Sequence, residues 1–251
     1  MTRLPPAFFQ APLAHRALHD VTDHRPENSR AAIRAAMARG YGIEMDLQLS
    51  HDGRAMVFHD YDMRRLTGEP GPIRQRSAAE LARVPLLGGD EGIPGFAEVL
   101  ALVAGQVPLL VELKDQHGQM GVTDGTLERA VATDLKGYSG DVALMSFNPN
   151  SVALLAELVP DRPRGIVTCD YPAEDWPLLR EETRAHLRGV PDYDRAQASF
   201  ISHEVIDLAN PRVAALKAQG ANVLCWTVTS PEQEAEARRI ADNITFEGYL
   251  A

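Results

Sequence analysis

The stretch Ile43-Glu44-Met45-Asp46-Leu47-Gln48-Leu49 sets apolar and polar side chains in strict alternation. A strand turns successive side chains to opposite faces, so Ile43, Met45, Leu47 and Leu49 share one face and Glu44, Asp46 and Gln48 the other. Outward from this stretch, strand-like apolar runs recur at 12–15, 55–59, 107–114, 141–145, 165–169, 199–202, 223–228 and 244–246. Helical stretches, many rich in alanine, alternate with most of them: 29–39, 96–105, 123–136, 150–158, 177–187, 211–219 and 232–241. Pro26-Glu27-Asn28-Ser29 opens the first, with Asn28 or Ser29 as its cap, and Gly40 stops it. Repeated strand–helix alternation predicts a parallel α/β sheet covered by helices, closed into one eight-stranded barrel. The nine strand candidates are one too many, and the surplus falls to one of the two short runs at the ends of the chain. Residues 61–92, rich in Gly, Pro and charge, form a small excursion within a single domain spanning 1–251. In such a barrel the apolar face of 43–49 meets the helices and its carboxylates point inward.

Composition narrows the function. With 45% hydrophobic and 24% charged residues over 251 positions, the chain has ample material for a core. The formal charge of -10, with no Lys/Arg run, argues against nucleic-acid binding. No stretch approaches the ~18 apolar residues of a membrane span, so integral membrane association is not expected. The first ten residues lack the apolar segment of an export signal. Cys169 and Cys225 are far apart with no CxxC, which fits reduced thiols in the cytoplasm. Oligomeric state leaves no mark on the sequence.

The chemistry sits at strand ends. Glu44 and Asp46, two apart on one face, lie roughly 6–7 Å from each other along the strand, and one cation can bind both. The plainer alternative is an ordinary strand with its polar face in water. Glu112 joins them from Leu109-Leu110-Val111-Glu112-Leu113-Lys114, a run too apolar for a surface strand; a buried Glu112–Lys114 pair is its structural alternative. Three carboxylates at strand C-termini make an all-oxygen site suited to one divalent cation, Mg2+ or Ca2+. Zn2+ is disfavoured, because neither cysteine has ligand spacing and His203-Glu204-Val205-Ile206-Asp207 is not HExxH. His15 and His59 end two strand runs and together supply a proton donor and an acceptor near neutral pH, although a lone histidine after an apolar run is more often structural. Arg16 and Lys114 add fixed positive charge for phosphate. Acid, base, dication and two cations around one mouth describe phosphodiester cleavage.

At these residues the chain resembles the glycerophosphodiester phosphodiesterases of the phospholipase-C-like barrel superfamily. The matching segments are His15-Arg16, Pro26-Glu27-Asn28-Ser29, Glu44-Met45-Asp46, Asp52-Gly53, His59-Asp60, Arg65-Leu66-Thr67, Ile93-Pro94 and Glu112-Leu113-Lys114, with weaker echoes at Ser146-Phe147 and Trp226-Thr227-Val228. The resemblance implies a TIM-type (β/α)8 barrel with a short insertion, about 61–92, after the third strand. It implies catalytic histidines at His15 and His59, metal ligands at Glu44, Asp46 and Glu112, and phosphate contacts from Arg16 and Lys114. It also accommodates the gap of 13 positions from Asp46 to His59, too short for a helical crossover. The implied activity is metal-dependent hydrolysis of a small-molecule glycerophosphodiester to sn-glycerol 3-phosphate and an alcohol. Alternatives are a phosphodiesterase for lysophospholipids or another headgroup, and a non-catalytic barrel binding a metal or phosphate. A glycosidase acid/base pair ranks last, because two carboxylates on one strand face do not flank a scissile bond.

Two departures from the family stand out: Ala17 where glycine usually follows His-Arg, and Glu247 where an aspartate usually follows the last strand. The loop Leu18–Arg25, rich in His and Asp, reads as a solvated loop over the mouth rather than a second metal site. Trp226 is assigned to core packing beside Leu224 and Val228, with an apolar wall at the mouth as its alternative. Glu27 is assigned to the helix dipole.

Overall fold

The computed structural model describes residues 2–251. Its strands are β1 (Leu13–Ala14), β2 (Gly42–Leu49), β3 (Ala55–Val57), β4 (Leu109–Leu113), β5 (Val142–Ser146), β6 (Arg164–Thr168), β7 (Phe200–Glu204), β8 (Asn222–Val228) and β9 (Asn243–Phe246). The helices are α1 (Arg30–Ala38), α2 (Arg64–Thr67), α3 (Ala78–Leu81), α4 (Phe96–Val103), α5 (Thr126–Asp134), α6 (Pro149–Leu158), α7 (Glu181–Gly189), α8 (Pro211–Ala218) and α9 (Pro231–Ala237). Eight strands run parallel in the order β1-β2-β4-β5-β6-β7-β8-β9, and β9 pairs with β1 to close the TIM barrel.

Both short terminal runs are therefore staves, contrary to the expectation that one of them is surplus. The extra strand is β3, which pairs antiparallel with the upper half of β2, Leu47 opposite Val57 and Leu49 opposite Ala55. The cause is the Asp52-Gly53 turn, where Gly53 takes φ 74: a tight hairpin joins only antiparallel neighbours. Strand β1 pairs with Gly42 and Ile43 alone, which leaves the upper edge of β2 open to β3. The hairpin rises above the barrel and turns back, so that Phe58 N–H donates to Asp46 O at 2.9 Å. That return brings His59 down to the carboxylates.

The strand faces divide as the alternation requires. Ile43, Met45, Leu47 and Leu49 are buried in the layer between barrel and helices, with Ile33, Val99 and Val111 among their neighbours in that layer. Each such side chain contributes about 1.5–3 kcal/mol. Inside the barrel, Leu13, Leu110, Ala143, Val167, Phe200 and Leu224 form an apolar floor closed by Leu4 and Phe8. Gly165 is needed there, because a Cβ at that position collides with the Phe200 ring. Ser29 is the cap of α1, its Oγ accepting from Ala32 N–H at 3.1 Å. Residues 61–92 carry α2 and α3 over a separate small core of Met56, Phe58, Met63, Leu66, Ile73 and Leu81. The helix expected from residue 177 begins at Glu181, where two glutamates in its first turn complement the dipole. Among the described residues no helix is long and apolar enough to cross a membrane.

Candidate active site

Above the apolar floor the barrel interior turns polar. Glu44, Asp46 and Glu112 are 2%, 1% and 6% exposed, and one oxygen of each lies within 4.8 Å of the others. Register explains the grouping: parallel pairing sets Asp46 directly opposite Glu112, and Glu44 lies one inward position below Asp46. Lys114, just past β4, places Nζ 2.7 Å from Asp46 Oδ1 and 2.8 Å from Glu112 Oε1. Arg16 Nε stands 3.7 Å from Asp46 Oδ2, while its Nη1 donates to Glu27 Oε1 at 2.9 Å. All seven expected site residues thus converge at the C-terminal mouth, where barrels of this architecture carry their chemistry.

The electrostatics are unbalanced. Three carboxylates face two cations, and Arg16 is shared with Glu27. Burial, then the charges of Asp46 and Glu112, raise the Glu44 carboxyl well above its ordinary range. Burial also opposes ionisation of Asp46, but Lys114 and Arg16 outweigh it and hold Asp46 low. Lys114 is raised: its burial is overcome by Asp46 and Glu112. The donor set is all oxygen, and Glu44 accepts a hydrogen bond from Arg16 N–H at 3.0 Å. Such a buried, under-neutralised trio fits a hard divalent cation.

Each histidine is anchored by a carboxylate. His15 Nδ1 lies 2.6 Å from Glu247 Oε2, and His59 Nδ1 lies 2.7 Å from Asp60 Oδ1. A carboxylate only accepts at these distances, so both Nδ1 atoms carry a proton and both Nε2 atoms are left for proton exchange. His15 Nε2 is 4.0 Å from Glu44 Oε2. Burial lowers His15 below its ordinary value despite Glu247, which is itself held low chiefly by its bond to His15. Both rings line a cavity of about 270 Å³ with Arg16, Glu44, Glu112 and Lys114.

Several residues of this site escape sequence reasoning. Glu247 is found by barrel closure: the residue after β9 must neighbour the residue after β1. Asn28, buried at φ 58, donates to Asp46 Oδ2 at 3.0 Å. Its signal is an asparagine beside the helix cap, a residue that tolerates the left-handed region. Glu27 corrects the dipole assignment, for it binds both Arg16 and Arg65. Trp226 packs against the inner core that holds Leu224, as expected, and also lines the cavity; Val228 departs, because a register irregularity in β8 between Cys225 and Val228 puts it in the outer layer. In the loop Leu18–Arg25, Asp20 and Asp23 are engaged by Thr22 and Arg25, and His19 approaches Glu247 at 3.5 Å.

Comparison with known proteins agrees with this geometry. Residues 15–243 match the model of the glycerophosphoryl diester phosphodiesterase family. The chain is 26% identical over 216 residues to the glycerophosphodiester phosphodiesterase of Caldanaerobacter subterraneus subsp. tengcongensis, spanning 82% of each protein. It is 30% identical over 160 residues to that of Bacillus altitudinis, spanning 58% of this chain and 62% of the relative. In fold it is similar to an Oleispira antarctica phosphodiesterase solved in complex with the product sn-glycerol-3-phosphate. The TM-score is 0.76 at 22% identity, over 96% of this chain and 94% of that one. The chain belongs to the glycerophosphoryl diester phosphodiesterase family.

Proposed function

We propose that the chain hydrolyses a glycerophosphodiester to sn-glycerol 3-phosphate and an alcohol, using His15 and His59 as base and acid and one divalent cation, Mg2+ or Ca2+. The observation that carries this reading is the pair of carboxylate-anchored imidazoles whose free Nε2 atoms line one cavity with Arg16 and Lys114. His15 lines only the inner cavity, whereas His59 also lines a wider outer cavity of about 860 Å³. This supports a division of labour. His15 Nε2 accepts the proton of the nucleophile, water or the glycerol 2-hydroxyl, and protonated His59 delivers one to the alkoxide leaving toward the outer cavity. Where the 2-hydroxyl attacks, water then opens the cyclic phosphate with the two roles reversed. Burial lowers His15 below its ordinary value, the direction that suits a base. Arg16 and Lys114 stabilise the charge that grows on the phosphoryl oxygens. Glu44, Asp46 and Glu112 would hold the cation, which when bound polarises a non-bridging phosphate oxygen. Asn28 and Arg16 fix Asp46 in place.

Two buried free thiols, Cys169 and Cys225, each pushed to about 12 by burial, support a cytoplasmic setting. The pairing of β1 with β9 supports reading 1–251 as one domain.

The test is turnover of glycerophosphodiesters after chelation with EDTA, with Mg2+, Ca2+ and Mn2+ restored separately. Activity is expected to vanish and to return with Mg2+ or Ca2+, and His15→Ala and His59→Ala should each lower kcat about 10²-fold or more. Full activity after chelation removes the metal from the reaction. Near-normal turnover in either variant removes that imidazole.

A further inference from the structure

The outer cavity opens from the catalytic one across His59, Glu112, Lys114, Phe147 and Trp226, which line both. Beyond this border its wall is aromatic. The Phe147 ring lies 4.9 Å from Trp176 and 5.6 Å from Trp226, at interplanar angles of 57° and 85°. Tyr171, fully buried, backs both Phe147 and Trp176 at 6.1 and 5.1 Å. Rings set steeply against one another and supported from behind make a rigid corner rather than a flat stack. The three front rings are half-buried, so their exposed surfaces are available to an occupant.

Charge on this side is negative and unanswered. Asp175 lines the cavity beside Trp176, and Glu204 lies opposite Trp226 in the β7–β8 register. Among the described residues neither forms an ion pair. Burial raises the Glu204 carboxyl, and Asp175, Asp207 and Asp170 raise it further, the mark of negative groups crowded without a cation. The basic residues nearby do not relieve them. Arg65 is tied to Glu27 and Asp60 and Lys114 to Asp46 and Glu112, while Arg64, exposed on the lining, reaches neither Asp175 nor Glu204 within ion-pair distance.

We infer that the outer cavity is a headgroup subsite for a quaternary ammonium alcohol, a choline-like leaving group seated against Phe147, Trp176 and Trp226. This rests on the hydrolytic reading above and names its substrate class. A trimethylammonium group cannot donate hydrogen bonds and gains most from ring faces backed by diffuse negative charge. A primary ammonium needs several converging acceptors, and of the lining carboxylates Asp60 is tied to Arg65 and Asp62 to Arg64 N–H and Gly71 N–H, which leaves Asp175 alone beside the rings. An acyl chain would desolvate the carboxylates of the lining, Asp60, Asp62 and Asp175, without compensation.

The first test needs no turnover. The chain has two tryptophans, Trp176 and Trp226, and both line the cavity, so intrinsic fluorescence reports its occupancy. The whole protein is titrated with choline and with 3,3-dimethyl-1-butanol, its uncharged isostere. Choline should bind at least about fivefold more tightly, and Asp175→Asn should narrow that gap. Equal or weaker binding of choline overturns the inference and assigns the cavity to an apolar group. The second test is the ratio of kcat/KM for glycerophosphocholine to that for glycerophosphoglycerol. Trp176→Leu should lower this ratio about tenfold, and an unchanged ratio overturns the inference. If choline binds as expected while no glycerophosphodiester is turned over, the hydrolytic reading fails and the cation site stands. Turnover without preference for choline in either assay removes the cation site alone.

Discussion

Replacing Glu247 by glutamine separates an orienting carboxylate from a merely filling one. Glu247 Oε2 accepts from His15 Nδ1 at 2.6 Å, and the same oxygen lies 3.5 Å from His19 Nε2. A hydrogen bond to a charged group is worth about 1.5–3 kcal/mol net. At about 1.36 kcal/mol per decade of rate, that range corresponds to roughly 10- to 150-fold. The Glu247 side chain is 35% exposed, so solvent screens part of the interaction and the lower portion applies, about 10- to 40-fold. The bond strengthens when His15 takes up a proton, which happens on the way to the transition state, so the loss should fall on kcat with KM nearly unchanged. The assay is steady-state hydrolysis by wild type and Glu247→Gln, with urea unfolding to show that the fold is retained. His19→Ala removes the weaker contact to the same oxygen and should leave kcat within about threefold. A folded Glu247→Gln protein with kcat within about threefold of wild type would refute the reasoning. So would a loss confined to KM, because the carboxylate would then be acting on substrate rather than on the imidazole.

Two further outcomes concern stability. Ala17 is buried at φ 66, where an L-residue pays about 1–2 kcal/mol, so Ala17→Gly gains that relief but loses about 0.8 kcal/mol of methyl burial and a similar amount to chain entropy. Its urea-unfolding free energy should therefore stay within about 1 kcal/mol of wild type, and a loss of about 1.6 kcal/mol or more would show that the left-handed geometry is not strained. Asp242, at the foot of the barrel, is held below its ordinary value: burial opposes this, but hydrogen bonds from Lys217 and from Val223 N–H at 2.8 Å prevail. A depressed carboxylate stabilises the fold above its unfolded pKa, and the effect is lost as pH falls through the folded value. Asp242→Asn should thus cost about 1 kcal/mol at pH 7, with the gap from wild type closing below about pH 4; a gap independent of pH would mean that ionisation is not involved.

The groups that reach the cavity were legible because each lies on the inward face of a strand or one or two residues past a strand's end. Alternation sends Glu44 and Asp46 inward, and an apolar run carries Glu112 to the same level. What alternation lacks is register and direction. A two-residue strand such as β1 has no period to read, and the antiparallel sense of β3 depends on a turn rather than on its residues. The anchors of the imidazoles were harder still. Asp60 is a neighbour of His59 in the chain, but Glu247 lies 232 positions from His15, and only closure of β9 on β1 makes them adjacent. Phe147, Trp176 and Trp226 come from three separate βα segments, so no local pattern announces their shared wall. The contrast has a physical basis. The carboxylates of the cavity are set by strand faces, which sequence encodes with period two, whereas the partners of the imidazoles and the aromatic wall are set by which loop ends meet around the mouth. On the proposed reading, the choice of leaving alcohol therefore rests on Trp176 and Asp175 rather than on His15 and His59.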